Sequence, residues 1–312
     1  MPIGYYSFKI NEMPFAVWGD IDDLKKESLN YIENIETDLF RYQMEYILAE
    51  LRKDPENLNA AISIRQTYFH ALETFLSLLA SALQATEYPI GWILKYTNQE
   101  LRSFINKIND KEKIFNFHKL NEIDWTKIGH LIHRIEYHSE EDTLKIDKML
   151  EFWKKWAIFH TDKNSILEYN SLKHGYRTKF GSTKLKIGNK EIEPGKYGLN
   201  YSVVKPFNNN KDLKLNFYTD FASSHWNPFR NSIEILLISC SIINVKAFLL
   251  PYLVKENLSI KYEIPKNEWF EELEKECGPD LINLNLTKSI KNIDPSELLT
   301  KAELDKILNK FE

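Results

Sequence analysis

Apolar residues recur every three or four positions through most of this chain, a spacing that gathers them on one face of an α-helix. Leu24, Leu29, Ile32, Ile35, Leu39 and Tyr42 recur at spacings of three to five in one such series, opened by Asp20 as an N-cap and running to about Lys53, where the DPEN turn at 54–57 stops it. From Asn59 to about Ala85 neither Gly nor Pro interrupts the pattern. Projected at about 100° per residue, Tyr68, Phe69, Leu72, Phe75, Leu76 and Leu79 form a wide apolar face. Thr67, His70, Thr74, Ser77 and Ser81 make a back that is polar but short. A solvated back would carry Lys and Glu, so the pattern places this helix at the centre of a bundle.

Shorter helices are expected near residues 92–108, 125–137 and 144–159, with a loop over 110–124. Asn164 or Ser165 caps one more, which runs to about Arg177 and ends near Gly181. The period then changes. KIGNKEIEPGKYGLNYSVVKPF and KLNFYTDF alternate apolar and polar residues between Gly-Asn, Pro-Gly and Asn-rich turns, the pattern of a hairpin or small antiparallel sheet. Helical spacing returns over 228–254 and in shorter pieces at 268–276 and 295–311. The first 18 residues, with Pro2 and Pro14, read as a short strand or an arm anchored by aromatics such as Tyr5, Phe8 and Trp18. The expected fold is mainly α. It has an N-terminal arm over 1–18, a helical bundle over 19–180, and a hairpin or small antiparallel sheet with further helices over 181–312.

Composition narrows the class more than the function. The 312 residues are 43% hydrophobic, 13% aromatic and 28% charged, enough apolar surface to offset the entropy of ordering the chain. The length suits two domains. With 41 basic and 45 acidic residues the net charge is −4, so no global field draws the chain to nucleic acid or to an anionic membrane. Cys240 and Cys277 share no CxxC spacing, which disfavours a disulfide framework or structural zinc and fits a reducing compartment. The start, MPIGYYSFKINEMPF, lacks the basic and continuously apolar parts of a signal peptide, and the apolar run 233–254 is interrupted by Glu234, Asn244, Lys246 and Pro251. A cytoplasmic protein without a membrane partner is therefore expected, with 233–254 as a buried core helix. Scarce Gly beside abundant Asn, Lys and Ile suits an AT-rich bacterial coding sequence.

Two polar clusters sit where helices should be apolar, and a buried polar group without a partner is costly, so each calls for a partner or a task. In EYNSLKHGYR, Asn170, Lys173, His174 and Arg177 project with Leu167 within about 120° on the side of Ile166. Ser165, Glu168, Ser171 and Gly175 fall opposite. The polar stripe thus shares the apolar face. A carboxamide, an ammonium and an imidazole there can hold an anion such as phosphate and move a proton near neutral pH. The competing reading is a helix at a domain junction, with His174 favourably placed near its C-terminal end. In RQTYFHALE, Arg65 projects into the apolar face, whereas His70 lies about 140° away beside Glu73, which is placed to orient its imidazole. Here the competing reading is a core Arg paired to a carboxylate and a hydrogen-bonded His.

The Arg-x4-His spacing of Arg65 and His70, with the polar Gln66 after the Arg, resembles the motif of the HEPN superfamily. The resemblance implies a compact helical bundle that acts as a metal-independent endoribonuclease in a toxin, antiphage-defence or RNA-processing system, with RNA as substrate and no cofactor. It also implies a homodimer with facing motifs. In that mechanism Arg65 stabilises charge on the scissile phosphate through paired hydrogen bonds, and His70 deprotonates the 2′-hydroxyl or protonates the leaving oxygen. Lys173 and His174 would share the phosphate if the two helices adjoin, with Asn170, Arg177 and Glu73 binding substrate. The rival expectation is a non-catalytic helical protein that senses, binds or scaffolds a protein partner, an antitoxin among them.

Other candidates carry less. In the cluster His130, His133 and His138, the first two stand on adjacent turns and could form half a metal site, but HExxH is absent and no carboxylate stands at a motif position, so no metal is expected. No Gly-rich loop opens a helix, no GxSxG is present, and Cys240 has no His beside it in the sequence. These absences set aside nucleotide-dependent, serine-hydrolase and cysteine-nucleophile chemistry.

Overall fold

A long apolar helix with no charged back has to be surrounded, and that requirement sets the architecture. The computed structural model describes residues 5–10, 13–18, 20–112, 123–173, 178–180, 185–187, 190–192, 197–206, 216–254, 261–276, 284–292, 300, 302, 303 and 309. In chain order the elements are β1 (Tyr5–Ile10), β2 (Met13–Trp18), α1 (Ile21–Glu33), α2 (Leu39–Lys53), α3 (Leu58–Gln84), α4 (Pro89–Ile93), α5 (Asn98–Asn109), α6 (Trp125–His133), a 3-10 turn (Ile135–Tyr137), α7 (Glu140–Thr161) and α8 (Lys163–Lys173). They continue with β3 (Thr178–Phe180), β4 (Leu185–Ile187), β5 (Lys190–Ile192), β6 (Gly198–Pro206), β7 (Asn216–His225), α9 (Pro228–Leu253), α10 (Asn267–Lys275) and β8 (Leu284–Asn292). The fold is mainly α with small antiparallel sheets.

Two compact units divide the chain, and they do not follow chain order. Residues 1–169 and 227–280 make the first, and 170–226 with 281–312 the second. The expected division at 180/181 misses this, because α9 and α10 return to the helical unit after the strands.

In the helical unit α3 and α9 pack on each other and are ringed by the rest. Helix α3 touches α2, α4, α5 and α7, while α9 touches α1, α2, α6 and α10. The short polar back of α3 explains how it tolerates burial. Thr67 Oγ1 donates to the Ser63 carbonyl, Ser77 Oγ to Thr74 and Ser81 Oγ to Leu78, so these hydroxyls are satisfied by their own helix. Helix α9 starts where the Asn227 side chain accepts the amide N–H groups of Phe229 and Arg230, with Pro228 at the first helical position. Trp153 Nε1 of α7 donates to Ser241 Oγ of α9 at 2.8 Å. By length and composition α9 could cross a membrane, with a mean hydropathy of 2.0, yet 78% of its apolar window is buried inside the protein. It is the core helix that its interrupting polar residues predict.

Local chemistry moved several boundaries. The helix expected over 20–53 breaks at Asn34, whose side-chain amide donates back to Asn30, and restarts as α2. A capping box of Thr97 and Glu100 opens α5. Arg134, in the left-handed region at φ 47°, stops α6 short of residue 137. Helix α8 is capped one turn early by Asp162, whose carboxylate accepts the N–H groups of Asn164 and Ser165 at 2.9 Å. The expected course of that helix beyond Lys173, most of the 110–124 loop and most of the 295–311 helix lie outside the described residues.

In the second unit β3, β6, β7 and β8 form a four-stranded antiparallel sheet in the order β3-β6-β7-β8, and β4 pairs with β5 in a separate antiparallel pair. Tyr201 faces Ala222 across the β6/β7 pair, and Leu199, Tyr201 and Ala222 are buried. The N-terminal arm is the antiparallel hairpin β1/β2.

Helices α6 and α7 approach closely at Gly129, where a Cβ would lie 2.8 Å from Leu150 Cγ and closer still to both of its δ-methyl groups. An Ala at a helix interior gains up to ~1 kcal/mol in propensity, but overpacking a core costs about 1–3 kcal/mol, and buried Leu150 has little room to yield. The Gly129→Ala variant is therefore expected to be less stable by about 1–2 kcal/mol in urea unfolding; an unchanged or raised midpoint contradicts this packing.

Candidate functional site

Arg65 sits where the sequence puts it, inside the apolar face of α3, with its side chain 2% exposed. A buried guanidinium needs a counter-charge. Glu168 of α8 supplies one, accepting from Arg65 Nε at 2.8 Å and from Nη2 at 3.0 Å in a fork-to-fork pair. Arg65 Nη1 donates to Asn231 Oδ1 of α9 at 3.3 Å. Three aromatic rings enclose the group, with Phe69, Phe159 and Tyr68 centroids 4.7, 5.2 and 5.3 Å from Arg65 Cζ. Burial works against the charge, but the Glu168 carboxylate more than offsets it, so the guanidinium is held protonated more firmly than usual. Tyr68 extends the network by donating to Glu234, which in turn accepts from Arg230 Nε at 3.2 Å. Burial first, and Glu234 second, pushes the Tyr68 phenol well above its ordinary range.

His70 points elsewhere. It is exposed, and its ring meets the edge of Phe40 at a centroid distance of 5.3 Å. It separates two open grooves. One, of about 510 Å³ between α2 and α3, is lined by Tyr42, Gln43, Tyr46, Gln66 and His70. The other, of about 700 Å³ toward α1, is lined by Glu27, Tyr31, Glu36, Phe40 and His70 among others. Glu73, expected to orient His70, instead accepts the hydroxyl of Tyr169, whose ring stacks on Phe69 at 4.9 Å. Burial, and then Glu73, raises the Tyr169 phenol far above its usual value.

The face of α8 is the reverse of the projection. Ser165, Glu168, Ser171 and Leu172 are buried, while Asn170 and Lys173 are exposed. The reason is Arg65: its charge is compensated only if Glu168 turns inward, and that rotation carries Asn170 and Lys173 out. His174 and Arg177 lie outside the described residues. The five expected site residues that are described therefore do not converge: Arg65 is buried, His70 stands over the two grooves, Glu73 meets Tyr169, and Asn170 and Lys173 are exposed on α8.

Residues that the sequence reading passed over carry the buried centre. Glu168 projects opposite Ile166 and Leu167, Glu234 interrupts the apolar run 233–254, and Asn231 lies just before that run. Their signal was an unpaired polar side chain on a helix otherwise apolar all round, which calls for a partner on a neighbouring helix.

Each histidine of the 130–138 cluster has a partner within the protein. His130 Nε2 lies 2.7 Å from Asp147 Oδ1, His138 Nε2 donates to the His133 carbonyl at 2.8 Å, and His133 Nδ1 donates to the Gly129 carbonyl at 2.7 Å. Burial pushes the His133 imidazole down to about 4. Among the described residues no group of His, Cys, Asp and Glu has the geometry to hold a metal. Cys240 is buried, donates to the Glu263 carbonyl, and has its thiol raised by burial.

No family model matches the chain, and neither a curated protein nor a solved structure is significantly similar to it.

Two stability measurements probe this centre. Removing one partner of a buried pair strands the other charge, so Glu168→Ala is expected to cost about 3–5 kcal/mol, whereas Arg65→Met with Glu168→Leu should recover most of that loss. A double variant as unstable as the single one argues against the pair. His133 stays neutral when folded but charges when unfolded below pH 6.5, so its contribution is complete above pH 6.5 and is lost as the pH falls toward about 4. Over that window the wild type should lose about 3 kcal/mol more than His133→Gln in urea unfolding; parallel pH profiles for the two proteins would count against a neutral buried His133.

Proposed function

We propose that this protein acts by binding a partner and not by cleaving RNA. The observation that carries this reading is the sealed guanidinium of Arg65. Two of its edges are committed to Glu168 and Asn231 behind three aromatic rings, so a scissile phosphate could reach it only by breaking a buried ion pair. General acid-base chemistry at His70 needs a charge-stabilising group within hydrogen-bond reach of the same phosphate. Among the described residues neither groove at His70 is lined by Lys or Arg. The residues of the Arg-x4-His motif thus take separate tasks: Arg65 holds the bundle, and His70 belongs to an open surface suited to contact.

Purified protein and its His70→Ala variant, incubated with total RNA under a chelator, are expected to leave the RNA equally intact. Cleavage by the wild type that disappears in the variant would overturn the binding reading and restore the endoribonuclease.

A further inference from the structure

The surface on both sides of His70 holds a row of side chains that the fold does not use. Tyr42 and Tyr46 stand 71% and 68% exposed on α2, and Leu39 is 41% exposed. At spacings of three and four they form a single row, the seam along which one helix packs against another. The packing of α2 itself is done by Phe40, Met44, Leu48 and Leu51 on its other side. Exposed tyrosines beside a groove, with amide side chains from Gln43 and Gln66 in the same lining, have the make-up of a protein interface.

Charge decides which partner fits. The adjoining groove presents Glu27 and Glu36 beside the phenol of Tyr31 and, among the described residues, no Lys or Arg. Residues 20–54, which contain α1 and α2, hold ten acidic and five basic side chains, a net charge of −5 against −4 for the whole chain. Three of those five bases are already engaged, Lys25 with Glu87, Arg41 with Glu263 and Lys53 with Glu50. A face with this excess repels phosphate chains and favours cations.

We propose that the α1–α2–α3 face centred on His70 docks a basic amphipathic segment of a partner protein. Its apolar side chains lie along Leu39, Tyr42 and Tyr46, and its Arg or Lys side chains reach Glu27 and Glu36. This rests on the binding reading above and adds the chemistry of the partner.

The test titrates the full-length protein into four labelled probes: a short helical peptide with Leu on one face and Arg on the other, the same peptide with Glu for Arg, a scrambled Arg peptide of equal composition, and a single-stranded RNA oligonucleotide. The amphipathic Arg peptide is expected to bind most tightly and to weaken with salt. The Tyr42→Ala/Tyr46→Ala and Glu27→Lys/Glu36→Lys variants, all at exposed positions, should each weaken it about tenfold or more. Tyr137→Ala, at a tyrosine 76% exposed on another element, should bind as the wild type does. Equal binding of the scrambled or acidic peptide, tighter binding of the RNA, or affinity unmoved by both double variants overturns the proposal. Because RNA cleavage is read in a separate assay, loss of peptide binding without cleavage removes this docking face while leaving the binding reading in place.

Discussion

A guanidinium in the middle of an apolar helix face is the constraint on which the helical unit turns. Desolvating Arg65 costs several kcal/mol unless its charge and its N–H groups are met. The groups that meet them come from α8 and α9, 103 and 166 residues further along the chain. A fork-to-fork pair tolerates little rotation or sliding, so satisfying it fixes the register of three helices at once. Against apolar residues of the same volume a buried pair is neutral or unfavourable. Its contribution here is to select one arrangement of α3, α8 and α9, and the stacked Phe69, Phe159 and Tyr169 rings pack against that arrangement.

The same constraint separates what the sequence could reveal from what it could not. Where burial follows from a helix's own pattern, the reading holds. The short hydroxyl back of α3 and the long apolar run of α9 each report their own surroundings. The face of α8 is different, because Ile166 and Leu167 give it only a weak apolar preference and both end half-buried. Its rotation is decided by Arg65, and a helical projection of α8 contains no information about a charge on another helix. The demand for a carboxylate partner was legible at Arg65; the identity of Glu168 was not. Local breaks were missed for a similar reason, since Asn34 ends α1 through a side-chain bond to Asn30 that hydrophobic spacing does not register. Strand β8 carries a weaker signal, because Lys288 stands on the same parity as Leu284, Leu286 and Ile290 and interrupts their alternation.

Helical geometry also bears on how the Arg-x4-His motif is divided. Five residues advance a helix by about 500°, which leaves Arg65 and His70 well over a right angle apart. On a helix with one exposed strip such residues can still curl toward a common ligand. Helix α3 is flanked on its Arg65 side by α8 and α9, and on its His70 side by α2 and the open grooves. The interior side chain is immobilised by the pair that makes the fold possible, and the exterior one is left with no described hydrogen bond. A single rigid helix therefore links a buried register lock to an open acidic and aromatic face. The spacing that resembles a catalytic motif places its two residues in different environments, and the recognition we propose draws only on the outer one, His70.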